Sequence, residues 1–259
     1  MINPDETAPL SDKIDGAPHP AQTTRIFGQD NAAKEFLDVF AASRLHHGWL
    51  ISGPRGVGKA TLAWQITKFL LAKPDLDQDG GLFGGPPEIP QSLEISPDHP
   101  VSRRITAGSE PGVFPLRRAY DDKRKRHKQM ITVDEVRKLK SFFGLTSTDG
   151  GRRIVIVDCA EDMNPSAANA LLKSLEEPPE NAFFFLISHR PARLLPTIRS
   201  RCRELRLRRL DKPSMTSAIE AADINFDISQ QDSLTKLSGG SIGEAVRILN
   251  MQGLPLYKS

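Results

Sequence analysis

The sequence predicts an α/β fold in which a parallel, doubly wound sheet carries a phosphate-binding loop and a small helical domain follows. Three observations predict it. The run Gly53-Pro54-Arg55-Gly56-Val57-Gly58-Lys59-Ala60-Thr61 lies between an apolar run, Trp49 to Ser52, and the helical pattern Leu62, Ile66, Phe69, Leu70. Strand, glycine-rich loop and helix are the context of a Walker A phosphate cradle. Ile154 to Val157 and Phe183 to Ile187 are wholly apolar, as strands of a parallel sheet covered on both faces are. Beyond Leu210 the pattern turns short and helical.

The chain has 259 residues, enough for one elaborated α/β unit and a small second one. Hydrophobic residues make up 38% and charged residues 26%, the balance of a soluble globular protein. No uncharged apolar run approaches the ~18 residues of a membrane span. Met1 to Thr24 is rich in Pro, Asp and Thr and lacks an apolar h-region, so a flexible tail is expected there rather than a secretory signal. Two cysteines, Cys159 and Cys202, make neither a disulfide framework nor a four-ligand zinc set, and a cytoplasmic location is expected. A net charge of +3 and a pI near 8.9 fit an ordinary soluble protein and are weak grounds for a nucleic-acid partner.

In chain order, Asp30 is placed to cap a helix bearing Ala33, Phe36, Leu37 and Phe40. His46 and His47 are adjacent, a spacing that does not put two ligands on one helix face, and they read as structural. The helix after the loop runs to about Ala72, where Lys73-Pro74 stops it. Residues 74–130 read as an irregular insert punctuated by Gly and Pro, with Ser92 to Ser96 its one strand. Arg117 and Arg118 precede a basic cluster, Lys123 to Lys128, which reads as a solvated loop or as a phosphate-contacting patch. Order returns at Ile131. Thr132 to Glu135 is a capping box, Ile131 is placed to staple onto Val136, and the helix carries Val133, Val136, Leu139 and Phe143 on one side. Gly150-Gly151 turns the chain into the strand ending at Asp158. Asn164 and Pro165 then open a helix striped with Ala168, Leu171, Leu172 and Leu175. Glu176 and Glu177 close it against the helix dipole, which a cationic partner would offset. A turn at Arg190 to Leu195, Ser200-Arg201-Cys202 and a last strand, Arg203 to Leu207, complete the sheet. Pro213 to Ala222, a stretch around Leu234 and Leu237, and Ser241 to Met251 form the helical domain.

A P-loop ATPase needs a phosphate cradle, a magnesium site, an activated water and transition-state charge stabilisation. Gly53 to Lys59 supplies the cradle, its inward N–H groups and the start of the helix favouring an anion. The magnesium site is half present. Asp158 stands where a Walker B aspartate stands, but Ala60 replaces the hydroxyl residue that follows the lysine. Thr61 is one residue late, ~100° round the helix. The place for a water-activating carboxylate after Asp158 is Cys159, with Glu161 near but not equivalent. Hydrolysis by this chain is therefore expected to be impaired, while weak binding of ATP or ADP stays open.

The run Asn169 to Pro179, with Leu194-Leu195-Pro196, Ser200-Arg201-Cys202 and Leu45 to Leu50, resembles bacterial clamp-loader subunits of the AAA+ class over residues ~25 to 250. The resemblance implies an AAA+ P-loop core at 25–209 after a tail at 1–24, and a helical lid at 210–259. It is nearest the delta-prime type, a largely non-hydrolysing subunit. Its partners would be gamma/tau and delta types, with the sliding clamp and primer-template DNA met through the complex. The ATPase members keep a Walker B Asp-Glu pair and a lid arginine; this chain has Cys159 and, in Gly240-Ser241-Ile242-Gly243, a glycine at the arginine's place. The family's Ser-Arg-Cys arginine acts in trans, so the resemblance implies that Arg201, flanked by Ser200 and Cys202 at a partner interface, is an arginine finger. Residue types alone leave Arg199, Arg201 and Arg203 as surface charges. The resemblance implies no zinc, because the insert lacks the four cysteines many relatives carry, and no required cofactor. A helical collar follows the lid in relatives, and none is expected within these residues. An active gamma/tau-like ATPase and a DNA-binding AAA+ adaptor using Lys123 to Lys128 are the competing readings.

Overall fold

The computed structural model describes residues 10–72, 89–144, 151–224 and 226–251. Its strands are β1 (Gly48–Ser52), β2 (Val113–Leu116), β3 (Tyr120–Asp121), β4 (Arg126–His127), β5 (Arg153–Asp158), β6 (Ala182–Ser188) and β7 (Arg203–Arg206). Five of them form one parallel sheet in the order β2-β5-β6-β1-β7, while β3 and β4 pair as a separate antiparallel hairpin. The helices are α1 (Asp30–Ala41), α2 (Lys59–Ala72), α3 (Pro100–Thr106), α4 (Val133–Gly144), α5 (Pro165–Glu176), α6 (Pro196–Arg199), α7 (Lys212–Ala221), α8 (Gln231–Ser238) and α9 (Ile242–Asn250).

Side chains alternate across a strand, and the three central strands use both faces for apolar burial. Trp49, Ile51, Ile154, Ile156, Phe185 and Ile187 point into a core filled by α1, α2 and α3. Leu50, Val155, Val157, Phe184 and Leu186 point the other way, against α4 and α5. The expected doubly wound sheet is thus present. Met215, Ile219, Leu234 and Ala245 of the helical domain join the first core, so the lid rests on the α2 side.

Local signals worked where they had a side chain to carry them. Asn164 accepts the Ala167 N–H at 2.8 Å and Pro165 opens α5. Glu135 accepts the Thr132 N–H at 2.8 Å, and Ile131 and Val136 share the second core. His47 donates to the Leu175 carbonyl at 2.9 Å, a structural tie between β1 and α5.

Four expectations are corrected. Asp30 lies inside α1; the residue before it, Gln29, caps without a side-chain bond because its amide spans Val57 and Arg208 instead. Phe142 rather than Phe143 is the buried phenylalanine of α4, although Phe143 packs half-buried on the same core. Ser92 to Ser96 is not a strand. The insert instead supplies α3 and the edge strand β2, whose Pro115 lacks an N–H and is tolerated because β2 pairs on one side only, with β5. The part of the insert at 73–88 lies outside the described residues. Finally, residues 10–24 are packed rather than free: Ala21 is buried, the His19 ring meets Trp64 edge-on at 5.9 Å, and Lys68 and Gln65 of α2 donate to the Thr23 and Thr24 carbonyls at 3.0 Å.

Candidate functional site

The phosphate cradle stands at the C-terminal end of β1. Gly53, Pro54, Arg55, Gly56, Val57 and Gly58 form the loop, and Lys59, Ala60 and Thr61 open α2. Arg55 is exposed, Val57 is buried beneath the loop and Ala60 packs on the core. Lys59 is buried and turned back onto its own loop, donating to the carbonyls of Gly53 at 2.8 Å and Pro54. Burial lowers its pKa to about 8, against the nearby Cys159, Asp158 and Glu161, which favour the charged form.

Asp158 ends β5, two strands away in the same sheet. Burial, then the nearby Asp12 carboxylate, raises its pKa to about 6; a hydrogen bond from Cys159 and the charge of Lys59 oppose them. The Cys159 thiol lies 3.5 Å from Asp158 Oδ1 and 3.2 Å from His189 Nε2, and burial followed by the Asp158 charge pushes its pKa far up. It is no nucleophile. Glu161 accepts the His189 N–H at 2.9 Å, with its Oε1 3.8 Å from the His189 ring. Burial raises the Glu161 carboxyl, and backbone hydrogen bonds at Glu161 and His189 outweigh it, so the net shift is downward. His189 is itself lowered, first by burial.

The lid closes the cradle from above. Gly56 adopts φ +73°, a conformation side chains rarely take, and a Cβ there would run into Ser241 Oγ. Its carbonyl accepts the Gly243 N–H at 3.0 Å. A Cβ at Gly243 would stand 3.1 Å from Gly56 Cα and 2.9 Å from Ile14 Cδ1. A side chain at position 243, where the resemblance implies an arginine in ATPase members, would require Ile14 to move and the Gly56 backbone to give by a few tenths of an ångström. A magnesium-bound nucleotide does not fit these residues as they stand: Lys59 is committed to carbonyls, Ala60 offers no hydroxyl, and Gly56 lies under Ser241 and Gly243. Among the described residues, no group of three or more His, Cys, Asp or Glu side chains is arranged to hold a metal ion.

Arg201 is elsewhere. Ser200 ends α6, and the segment passes the N-terminal end of β1 so closely that a Cβ on Gly48 would be 2.8 Å from the Arg201 carbonyl. The Arg201 guanidinium pairs with Glu176 at 2.9 Å and donates to the Thr197 carbonyl at 3.0 Å. This is the cation that offsets the glutamate at the end of α5. Its side chain stays 37% exposed and that of Glu176 42%, so the pair is open to an incoming group. Cys202 beside it is partly buried, and burial raises its thiol to about 12. The basic cluster splits: Arg126 and His127 form β4, Lys123 to Arg126 are exposed, and Lys128 pairs with Glu135 at 3.0 Å. The structure thus brings Lys59, Asp158 and Gly243 together and leaves Arg201 at the opposite end of the strand.

Sequence reasoning missed His189 and Asp12, and placed Arg117 only with the basic stretch ahead of Lys123. A signal existed for the first: His189 directly follows β6, the strand beside β5, so it sits at the same sheet end as Asp158 and Cys159. Asp12 and Arg117 are 105 positions apart, and nothing local joins them.

Loop, sheet order and lid together define a P-loop AAA+ domain. The branch-migration motor RuvB of Thermotoga maritima has this fold, with a TM-score of 0.51 at 15% identity over 93% of this chain and 68% of that one. Residues 28–211 match the family described as DNA polymerase III, delta subunit. The chain belongs to that family. It is similar to the DNA polymerase III subunit delta' of Pseudomonas aeruginosa, 38% identical over 60% of this chain and 41% of that protein. The subunit delta' of Escherichia coli K12 is 31% identical over 83% of this chain and 58% of the relative. The chain thus spans about half the length of these relatives. No helix among the described residues is long and apolar enough to cross a membrane.

Proposed function

We propose that this chain is a cytoplasmic clamp-loader subunit of the delta-prime type that does not hydrolyse ATP itself and offers Arg201 to the nucleotide of a neighbouring gamma/tau-type subunit. One observation carries the reading. Arg201 and the chain's own cradle stand at opposite ends of β1, four strand rises or about 13 Å apart along the strand. An arginine so placed serves a phosphate only if another subunit brings it. Its guanidinium keeps a planar fork part-exposed, suited to charge growing on a γ-phosphate. The crowding at Gly243, the missing hydroxyl at Ala60 and Cys159 after Asp158 all speak against a gamma/tau-like ATPase. Sliding clamp and primer-template DNA would be met through the complex.

The test is reconstitution with partner ATPase and delta-type subunits, using the full protein. Arg201→Ala is expected to leave assembly intact and to abolish most DNA-stimulated ATP turnover. Unchanged turnover in an assembled complex removes the finger. Magnesium-dependent hydrolysis by the isolated chain, lost on Lys59→Ala, would replace this reading with an ATPase.

A further inference from the structure

The segment before α1 crosses the nucleotide site and touches three of its walls. At the Walker B wall, the Asp12 carboxylate is 5% exposed, 3.1 Å from His19 Nε2 and 2.9 Å from Arg117 Nη1. Arg117 directly follows β2, whose last residue Leu116 pairs with Val157, so Asp12 is held at the sheet edge next to Asp158. At the lid wall, Ile14 Cδ1 fills the space that a side chain on Gly243 would need. One helix length along α9, Asn250 Nδ2 donates to the Asp15 carbonyl at 2.6 Å, and Gly16 packs on the same amide. At the cradle wall, Ile26 lies 3.6 Å from where a Cβ on Gly58 would stand. Between these contacts, residues 19–24 are fastened along α2.

We propose that Leu10 to Gly16 is an intramolecular plug of the phosphate cradle, competing with the triphosphate of a nucleoside triphosphate for the space between Lys59, Asp158 and Gly243. The inference concerns the cradle and does not rest on the role proposed for Arg201. Its chemistry is substitution. Asp12 places a carboxylate close enough to Asp158 to act on its charge, and Arg117 pairs with it there. Ile14 occupies the space that a side chain at position 243 would fill, over the lid glycine whose N–H bonds the Gly56 carbonyl. The glycine at 243 and the isoleucine at 14 are two halves of one contact. An anion entering the cradle must displace the strap, and the strap is tethered to the same chain, so it rebinds at a high effective concentration.

The test uses the whole chain and the fluorescent nucleotide mant-ATP. Two variants loosen the strap: Ile14→Glu, which puts a charge into the wedge, and Asn250→Ala, an exposed change that leaves the fold intact. Hydrogen exchange over residues 10–16 is measured on the same samples. Both variants are expected to exchange faster over 10–16 and to bind mant-ATP more tightly than the parent, Ile14→Glu by about tenfold, since apparent affinity scales with the fraction of open sites. Faster exchange with unchanged affinity would overturn the plug. So would unchanged exchange, or tight binding by the parent with 10–16 still protected. Turnover in the reconstituted complex tests Arg201 separately: a closed cradle with an inert Arg201, or an open cradle with a working one, tells the two ideas apart.

Discussion

The two ends of β1 invite comparison. At its C-terminal end, most ionisable groups are held from within, Lys59 by loop carbonyls, Glu161 by the His189 N–H and Asp12 by Arg117, while Asp158 is buried with its charge penalised. At its N-terminal end, Arg201 and Glu176 hold one another at 2.9 Å while more than a third of each side chain stays exposed. A buried, internally bonded charge is costly to disturb, whereas an exposed pair is worth under about 1 kcal/mol and is readily exchanged. A motif marks where chemistry was inherited; the partners of its side chains show whether they are free to act. Here the recognisable loop is turned inward, and the part-exposed ion pair is that of the less conspicuous arginine at the other end.

The largest expected effect breaks this contrast at its open end. On the proposed reading, Arg201→Ala in a reconstituted complex lowers DNA-stimulated ATP turnover by roughly 10³-fold or more, the scale of arginine fingers in related phosphoryl transfers. Arg201→Lys is expected to recover little of it, because an ammonium lacks the planar fork. A lysine that restored full turnover would reduce Arg201 to a point charge.

Next in size is a pH effect at the closed end. The Asp158 pKa rises from 3.8 to about 6, first through burial and then through Asp12. A carboxyl raised on folding binds its proton more tightly in the native state. Its favourable share is full below the unfolded value and is lost as pH rises through the folded one. Asp158→Asn is accordingly expected to stabilise the chain at pH 7 by about 2–3 kcal/mol in urea denaturation, the equivalent of that shift. The gain shrinks between pH 6 and pH 4. A pH-independent difference would mean that burial does not penalise the Asp158 charge.

Much of this was legible in the sequence, for identifiable reasons. The wholly apolar runs at Ile154 to Val157 and Phe183 to Ile187 announce strands covered on both faces, and glycines, Lys59 and the following helix announce the loop. Capping at Asn164 is written in two adjacent residues. β2 was not legible, because Pro115 interrupts a four-residue run and only edge placement excuses it. The docked strap was not legible either. Its polar, proline-rich composition reads as a tail, and what holds it are long-range partners: Arg117, Asn250 and Gly243. Composition reports what a segment lacks, and only the fold supplies what it meets.

A smaller effect is expected from placing an arginine in the lid at position 243. Gly243→Arg places a Cβ 3.1 Å from the Gly56 backbone and 2.9 Å from Ile14. Ile14 can swing away, but the loop backbone must shift, and overpacking of this kind costs typically about 1–3 kcal/mol. Urea denaturation measures that loss. ATP hydrolysis is not expected to appear, because Ala60 and Cys159 are unchanged. Hydrolysis in this single variant would show that the lid arginine alone had been limiting.

The smallest effect belongs to Glu176→Gln, and it discriminates best between a structural and a functional Arg201. Glu176 is the partner of Arg201 and also a negative charge in the last turn of α5. Removing it loses an exposed ion pair worth under about 1 kcal/mol and relieves a dipole conflict of a few tenths of a kcal/mol. The two nearly cancel, so the urea midpoint is expected to stay within about 0.5 kcal/mol of the parent. Arg201 keeps its bond to the Thr197 carbonyl, so its position survives and its guanidinium is freer to turn outward. Turnover in the complex should then hold or rise slightly. If Arg201 served only to tie α6 to α5, Glu176→Gln and Arg201→Ala would damage the protein alike; a neutral first change beside a severe second one is what an arginine held for another subunit's phosphate requires.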